Sequence, residues 1–428
     1  MADAYRELLD KLIAARRAGI VLGLERVREV LARLGNPERR LGLIAHIGGT
    51  NGKGSTAAMV ASMARYAGKR VAVYTSPHLA SLRERFVIDG EPASQAAVVA
   101  AAARVAAAGG DALTFFEQVT LVAFVLFADA GVDVSVVEVG LGGRLDATNV
   151  VDAEVAAVTG VAMDHEAMLG DSLRAITAEK AGIWKAGRRA VIGMSGEPEA
   201  RAWLHDAAVA AGCANVHLVE PIDVARAPLP GLVGDHQRAN AACACAIIDA
   251  LGLELEPDAK ELALRRAEHP GRLEVVAVAP TVMLDGAHNP HGARALARFV
   301  ARRSERPRVL VLAVSADKDV RAMVEPLASA GVFDLIVAAE YAQARALPRD
   351  ALADVIRQTG DGTDGGIRVE IASGDLRDAV AAARATAGVD GLVIVAGSLY
   401  AVGEVRPAFR PEMPVDPLAV SDPAPPRA

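Results

Sequence analysis

At 428 residues the chain exceeds one average domain, and its 52% hydrophobic content, mostly Ala, Val and Leu with only 4% aromatic residues, supplies core for two. A formal charge of −7, without a long basic stripe interleaved with aromatics, argues against a general nucleic-acid binder. No uninterrupted apolar run reaches membrane length, so neither nucleic acid nor membrane is expected as a partner. Cys213, Cys243 and Cys245 offer no disulfide framework or zinc spacing. The opening MADAYRELLDKLIAARRAG is amphipathic with early acids, unlike a secretory leader. Cytoplasm is the expected address.

In chain order, helical periodicity covers residues 3–17 and 24–34, and an apolar stretch, Leu41–Ile47, empties into a Gly-rich turn. Thr56–Tyr66 reads as helix, Arg70–Tyr74 as a short strand, and 92–108 and 114–129 as helices. Asp133–Val139 and Glu154–Thr159 read as buried strands, Ser172–Ile183 as helix, and 189–193 as strand. A helix follows His236 through Ala239–Leu251. Beyond HPGR at 269–272 come strands Glu274–Val278 and Thr281–Leu284, a helix near 292–303, and strands at 308–314, 333–337, 367–371 and 391–396. This alternation predicts an α/β protein with mainly parallel sheets covered on both faces. The expected domains are 1–269 and 270–428, with a proline-rich tail from Pro407 that wraps a surface or frays.

Strand, glycine turn, helix is how a chain builds a nest of backbone N–H groups for phosphate. In HIGGTNGKGST at 46–56, Gly48, Gly49, Gly52 and Gly54 permit close backbone approach. Lys53 reaches toward a terminal phosphate, and Ser55 or Thr56 offers oxygen to Mg²⁺. The usual P-loop places Ser or Thr directly after the lysine, whereas Gly54 intervenes here; the bland reading is a Gly-rich turn.

Further chemistry falls at strand ends, where open α/β sheets hold ligands. Ser76 in SPHL is a possible oxygen ligand; Arg83 and Arg85 either meet an anionic substrate or solvate a loop. Glu138, ending an apolar strand in EVGLGGRLDATN, must be paired, protonated or metal-bound. Arg144 and Asp146 either touch substrate or form an ion pair across their turn. His165, after Asp164, is a candidate to join Glu138 and Ser76 around a hard cation, although such ions prefer all-oxygen ligands. Lys180 either faces that pocket or pairs at the surface with Glu179. Asp285, His288 and Asn289 in LDGAHNP, with Arg272, are candidates for closing on a nucleotide. Asn240 either bonds an adenine edge or caps its helix.

Taken in order, GTNGKGS, SPHL, FE at 116–117, EVGLGGRLDATN, DH, LG at 169–170, EKAGI, HQ with NA, PGR, DGAHNP, DKD at 317–319 and GSLY at 397–400 resemble the folylpolyglutamate synthase/dihydrofolate synthase family. That family lies within the Mur-ligase-like ATP-dependent amide ligases, and the likeness runs from Gly49 to Tyr400. It implies a P-loop NTPase-like ATP- and folate-binding domain followed by a smaller Rossmann-like glutamate-ligase domain. It implies ATP contacts along Gly49, Thr50, Asn51, Gly52, Lys53, Gly54, Ser55 and Thr56, and at Asn240, Arg272, Asp285 and His288. Ser55 falls beside nucleotide-bound Mg²⁺, and Ser76, Glu138 and His165 around a second Mg²⁺. Lys53, Lys180 and His288 carry catalytic roles, with Lys180 at a position often carbamylated. Arg83, Phe116, Arg144 and Asp146 fall to substrate, and K⁺ is a further candidate cofactor. Departures are Gly48 where Ala is usual, Gly160–Met163 where the family often has Asn-Ile-Gly-Leu, and Ser172 for Thr.

The implied reaction activates the carboxylate of dihydropteroate or a reduced folate as an acyl phosphate, which the amine of L-glutamate then attacks. The enzyme is expected to be monomeric. Alternatives are folylpolyglutamate synthase activity alone, a Mur-like ligase for a cell-wall precursor, a P-loop phosphotransferase, and a non-catalytic nucleotide binder.

Overall fold

The computed structural model describes residues 2–16, 23–328, 331–360, 367–412 and 414–416. Arg17, from the helix expected over 3–17, and residues 417–428 of the expected tail lie outside the described residues. The chain divides into a first unit drawn from Met1–Leu232 and His236–Glu268 and a second drawn from Val233–Asp235 and His269–Ala419.

The first unit is built on eight strands: β1 (Leu43–Gly48), β2 (Val71–Tyr74), β3 (Phe86–Ile88), β4 (Glu91–Pro92), β5 (Val134–Glu138), β6 (Val155–Val158), β7 (Arg189–Ile192) and β8 (Asn215–Leu218). Their order is β4-β3-β2-β5-β1-β6-β7-β8, parallel from β2 to β8, with β3 and β4 added antiparallel at one edge. The sheet is therefore mixed. The β3–β4 pair also takes Pro92 out of the helix expected over 92–108, which instead runs Gln95–Ala107 behind the cap Ser94.

Helices cover both faces, which is why the central strands read as near-continuous apolar runs. Side-chain alternation shows it within one strand. Val134 and Val136 join the core of helices Lys53–Tyr66 and His236–Leu251, while Val137 joins that of Phe115–Ala130. Register aligns the strand ends that matter: Ile47 lies opposite Glu138, and Gly48 opposite Val158. The loops leaving β1, β5 and β6 thus start side by side.

The second unit holds β9 (Glu274–Val278), β10 (Thr281–Leu284), β11 (Arg308–Leu312), β12 (Leu335–Ala338), β13 (Arg368–Ile371) and β14 (Leu392–Ala396), ordered β13-β12-β11-β14-β10-β9. All pairs are parallel except β9 with β10. Among the described residues, no helix is long and apolar enough to cross a membrane.

Candidate functional site

The glycine loop is shaped by what surrounds it. Gly49 and Gly52 have φ of 140° and 86°, values that L side chains rarely adopt. A Cβ on Gly49 would lie 2.1 Å from Thr159 Oγ1, and one on Gly52 would lie 2.5 Å from Asn240 Oδ1. Between them, Thr50 is clamped to the loop after β6: its N–H donates to Gly160 O (2.8 Å), and its hydroxyl donates to Ala162 O (3.1 Å) and accepts from Ala162 N–H (3.0 Å). Thr159 Oγ1 donates to Asn51 O at 2.6 Å. The helix begins at Lys53, three residues earlier than its apolar spacing predicts, because Gly52 caps it in the left-handed conformation. Its first turn leaves N–H groups without intrahelical acceptors at the end where the helix dipole favours an anion.

Helix His236–Leu251 closes the loop from the other side. Gln237 donates its amide to Ser55 Oγ (3.3 Å), Asn240 Nδ2 donates to Gln237 Oε1 (2.9 Å), and Ser195 Oγ donates to Asn240 Oδ1 (3.1 Å). Asn240 sits in the second turn, so it does not cap this helix; its amide braces Gly52. Thr56 Oγ1 is buried without a hydrogen-bond partner.

Lys180 corrects a sequence alternative. It does not pair with Glu179 at the surface; it is 5% exposed and donates Nζ to Gly49 O at 3.1 Å. Burial first, then the charge of Lys53, brings its ammonium down to about 7, against the opposite pull of Asp164 and Asp146. Glu179 instead takes Arg144, through Nε (3.1 Å) and Nη2 (2.7 Å). The Arg144–Asp146 pair is therefore replaced. Asp146, 6% exposed, accepts from the N–H groups of Leu141 (2.8 Å) and Thr148 (3.0 Å) and so fixes its own turn. Lys53 Nζ folds back on Thr50 O at 3.3 Å.

Ser76 and Glu138 do come together, the Ser76 N–H donating to Glu138 Oε2 at 3.0 Å. His165, at φ 54°, keeps Nε2 3.8 Å from Asp164 Oδ1. Phe116 lies against the EVGLGG turn, where a Cβ on Gly140 would fall 2.3 Å from its ring. Arg83 secures the edge hairpin through Ala93 O (2.5 Å) and Pro92 O (3.3 Å). One positioning residue escaped the sequence reading: Glu84 receives the N–H groups of Leu79, Ala80 and Ser81 at 2.7–2.9 Å. Arg85 does not solvate its loop; fully buried, it donates Nε to His78 Nδ1 (2.8 Å) and lies over the Phe115 ring. Both shape the SPHL loop.

In the second unit, Arg272, Asp285 and His288 converge on Gly286. Asp285 accepts from Leu273 N–H (2.9 Å) and Ala287 N–H (3.0 Å), and His288 Nδ1 meets Gly286 O at 2.8 Å. A Cβ on Gly286 would lie 2.2 Å from Arg272 Nη1. Asn289 caps helix Pro290–Ala301 through Gly292 N–H (2.8 Å).

Among the described residues no group of three or more His, Cys, Asp or Glu is set to hold a metal. Mg²⁺ is usually held by few protein oxygens together with water and phosphate, and the buried hydroxyl of Thr56 and carboxylate of Glu138 are oxygens of that kind.

Family models match twice: the Mur ligase middle domain over residues 47–211 and the Mur ligase glutamate ligase domain over 271–399. A probable bifunctional folylpolyglutamate synthase/dihydropteroate synthase of Halobacterium salinarum is 37% identical over 94% of this chain, which spans only 51% of that relative. The dihydrofolate synthase/folylpolyglutamate synthase of Escherichia coli is 35% identical, over 90% of this chain and 91% of its own. Among solved structures, Escherichia coli FolC in complex with DHPP and ADP superposes with a TM-score of 0.84 at 33% identity, covering 95% of this chain and 98% of that one. A bifunctional folylpolyglutamate synthase/dihydrofolate synthase with Mn, AMPPNP and L-glutamate bound gives 0.80 at 33% identity, covering 91% and 95%.

Proposed function

Since the chain belongs to the dihydrofolate synthase/folylpolyglutamate synthase family, we propose that it is an ATP-dependent ligase joining L-glutamate to dihydropteroate and to reduced folates. The observation that carries this reading is the glycine loop closed by Asn240, with Lys53 and Lys180 beside it. In this reading the first unit is a P-loop type nucleotide domain and the second a Rossmann-like glutamate-ligase domain.

The loop N–H groups from Gly52 to Thr56 receive the ATP phosphates, and Lys53 swings from Thr50 O to the terminal one. Ser55 and Thr56 would hold Mg²⁺ with the nucleotide, and Glu138, Ser76 and His165 a second ion; such an ion would neutralise phosphate charge. The substrate carboxylate attacks the γ-phosphorus, ADP leaves, and the amine of glutamate then attacks the acyl carbon with loss of phosphate and a proton. What the chain supplies is position and charge: Lys53 and the loop dipoles at the transferring phosphoryl group, and Phe116, Arg83 and the Arg144–Asp146 turn on the acceptor side. Within the second unit, Arg272, Asp285 and His288 are this reading's candidates for nucleotide contact.

Lys180 has a role open to a neutral amine. With its ammonium brought down to about 7, a large share is neutral near pH 7 and able to attack CO₂; loss of one proton leaves a carbamate anion beside the loop.

The test offers MgATP, L-glutamate and K⁺ with either dihydropteroate or tetrahydrofolate and identifies products by mass spectrometry. Dihydrofolate establishes the first activity, and added glutamates on tetrahydrofolate the second. Phosphorylated acceptor without amide identifies a phosphotransferase and overturns the ligase reading.

A further inference from the structure

The first unit carries a cavity of about 510 Å³ remote from the glycine loop, within the range of roughly 300–1,000 Å³ typical of small-molecule sites. Its apolar lining includes Val191, Ala242, Ala246 and Pro228. Around it stand Arg189, His217, Arg226 and Lys260, with Asp223 and Asp249.

Charge pairing separates these groups. Lys260 Nζ lies 3.2 Å from Asp249 Oδ1, and His217 Nε2 lies 3.8 Å from Asp223 Oδ2. Arg189 donates Nη1 to Ala250 O (2.8 Å). Among the described residues neither Arg189 nor Arg226 has a carboxylate within ion-pair distance, and with His217 neutral the lining sets three cationic side chains, Arg189, Arg226 and Lys260, against two carboxylates, Asp223 and Asp249, beside an apolar wall. Planar guanidinium forks match the oxygens of a phosphate, and the excess of positive charge in the lining favours an anion.

The place of the cavity gives it a connection. It takes Arg189, Ala190 and Val191 from the start of β7 and Asn215 and His217 from β8. These strands run parallel with β6 and β1, and the glycine loop leaves the last residue of β1, so the cavity lies toward the starts of the strands of one sheet and the loop at their finish. One helix, His236–Leu251, serves both: Gln237 and Asn240 brace the loop, while Ala242, Ala246 and Ala250 line the cavity. From Gln237 to Ala250 the helix extends about 20 Å.

We propose that this cavity is an effector site for a small phosphate monoester with an apolar body, and that helix His236–Leu251 communicates its occupancy to the glycine loop. The site stands on its own lining; the communication rests on the nucleotide reading of the loop. It requires that the ligand shift the helix along or about its axis, which Gln237 and Asn240 would transmit to Ser55 and Gly52.

Phenyl phosphate serves as the probe, titrated calorimetrically into the full chain with and without saturating MgADP. The proposal expects one equivalent bound with submillimolar affinity even when MgADP is saturating. Arg226→Glu and Ala246→Trp, which reverse one charge and fill the floor, should each weaken binding about tenfold or more while ADP affinity and thermal unfolding stay as in the parent. ADP affinity should change about threefold or more with phenyl phosphate bound, and the probe's affinity by the same factor with ADP bound. No binding, binding abolished by MgADP, or binding undiminished in both variants overturns the site. Binding that leaves ADP affinity unchanged overturns the communication. Should ADP itself fail to bind, the nucleotide reading and with it the communication fall, while the two variants still decide the cavity.

Discussion

Gln237 donates its side-chain amide to the Ser55 hydroxyl at 3.3 Å, joining the first turn of helix His236–Leu251 to the first turn after the glycine loop. Both side chains are buried, Gln237 at 1% and Ser55 at 3% exposure. The bond consumes one lone pair of Ser55 Oγ and leaves the other for a cation. Gln237→Ala is therefore expected to weaken ADP binding about tenfold in the presence of Mg²⁺, about 1.4 kcal/mol, and much less in EDTA. Calorimetric titration under both conditions checks it. Equal weakening with and without Mg²⁺ would reduce Gln237 to a packing residue.

Gly52 and Gly68 separate backbone strain from crowding. Both have positive φ, 86° and 74°, but a Cβ meets Asn240 at the first and nothing within 4 Å at the second. Gly68→Ala should cost roughly 1–2 kcal/mol of stability and leave ADP binding intact. Gly52→Ala should carry the same backbone cost and also lose ADP binding, because Asn240 must move. Thermal unfolding and ADP titration of the two variants distinguish these outcomes, and comparable ADP affinity in both would contradict the account.

These contrasts mark where the sequence was readable. Buried central strands such as β5 and β14 announce themselves as apolar runs. Edge strand β8, Asn215–Leu218, alternates exposed with half-buried residues and left no such trace, and Pro92 of the two-residue β4 read as the start of a helix. At the site, the glycines, Lys53 and Lys180 lay in recognisable runs. What they touch did not. Thr159, Gln237 and Ser195 reach the loop across more than a hundred residues of chain or through another loop, and the partner of Arg144 is Glu179, 35 positions on, rather than the nearer Asp146. Local spacing reports local bonds.

The depressed Lys180 sets a pH dependence. Below about pH 7 the amine is protonated in both folded and unfolded chains, and the fold bears a buried charge. As pH rises from 7 toward the unfolded value of 10.5, the folded chain has lost a proton that the unfolded chain keeps, so this penalty fades. Lys180→Met removes the penalty altogether. The variant should gain most over the parent at pH 6, and the gap should narrow by pH 9, as read from unfolding midpoints in air-free buffer. With ¹³C-bicarbonate, a carbamate carbon signal should grow in the parent through pH 7 and be missing from the variant. A gap that widens with pH would reverse the burial argument.

In the second unit, Arg406 donates Nε to Glu274 Oε2 at 2.8 Å and Nη2 to Oε1 at 2.8 Å, with the two side chains 8% and 15% exposed. Glu274 also accepts the Gly271 N–H at 2.9 Å, immediately before Arg272. Removing the guanidinium strands a buried carboxylate, so Arg406→Met should destabilise this unit by about 3–5 kcal/mol. Replacing both partners removes the stranded charge, and the Arg406→Met, Glu274→Met double variant should recover more than half of that loss. Its Gly271 N–H is then unsatisfied, so Arg272 should remain loosened. Urea unfolding followed by circular dichroism measures the first effect and ADP affinity the second. A double variant as unstable as Arg406→Met would mean that the arginine acts through its aliphatic packing rather than by neutralising Glu274, because only the charge argument predicts rescue by a second truncation.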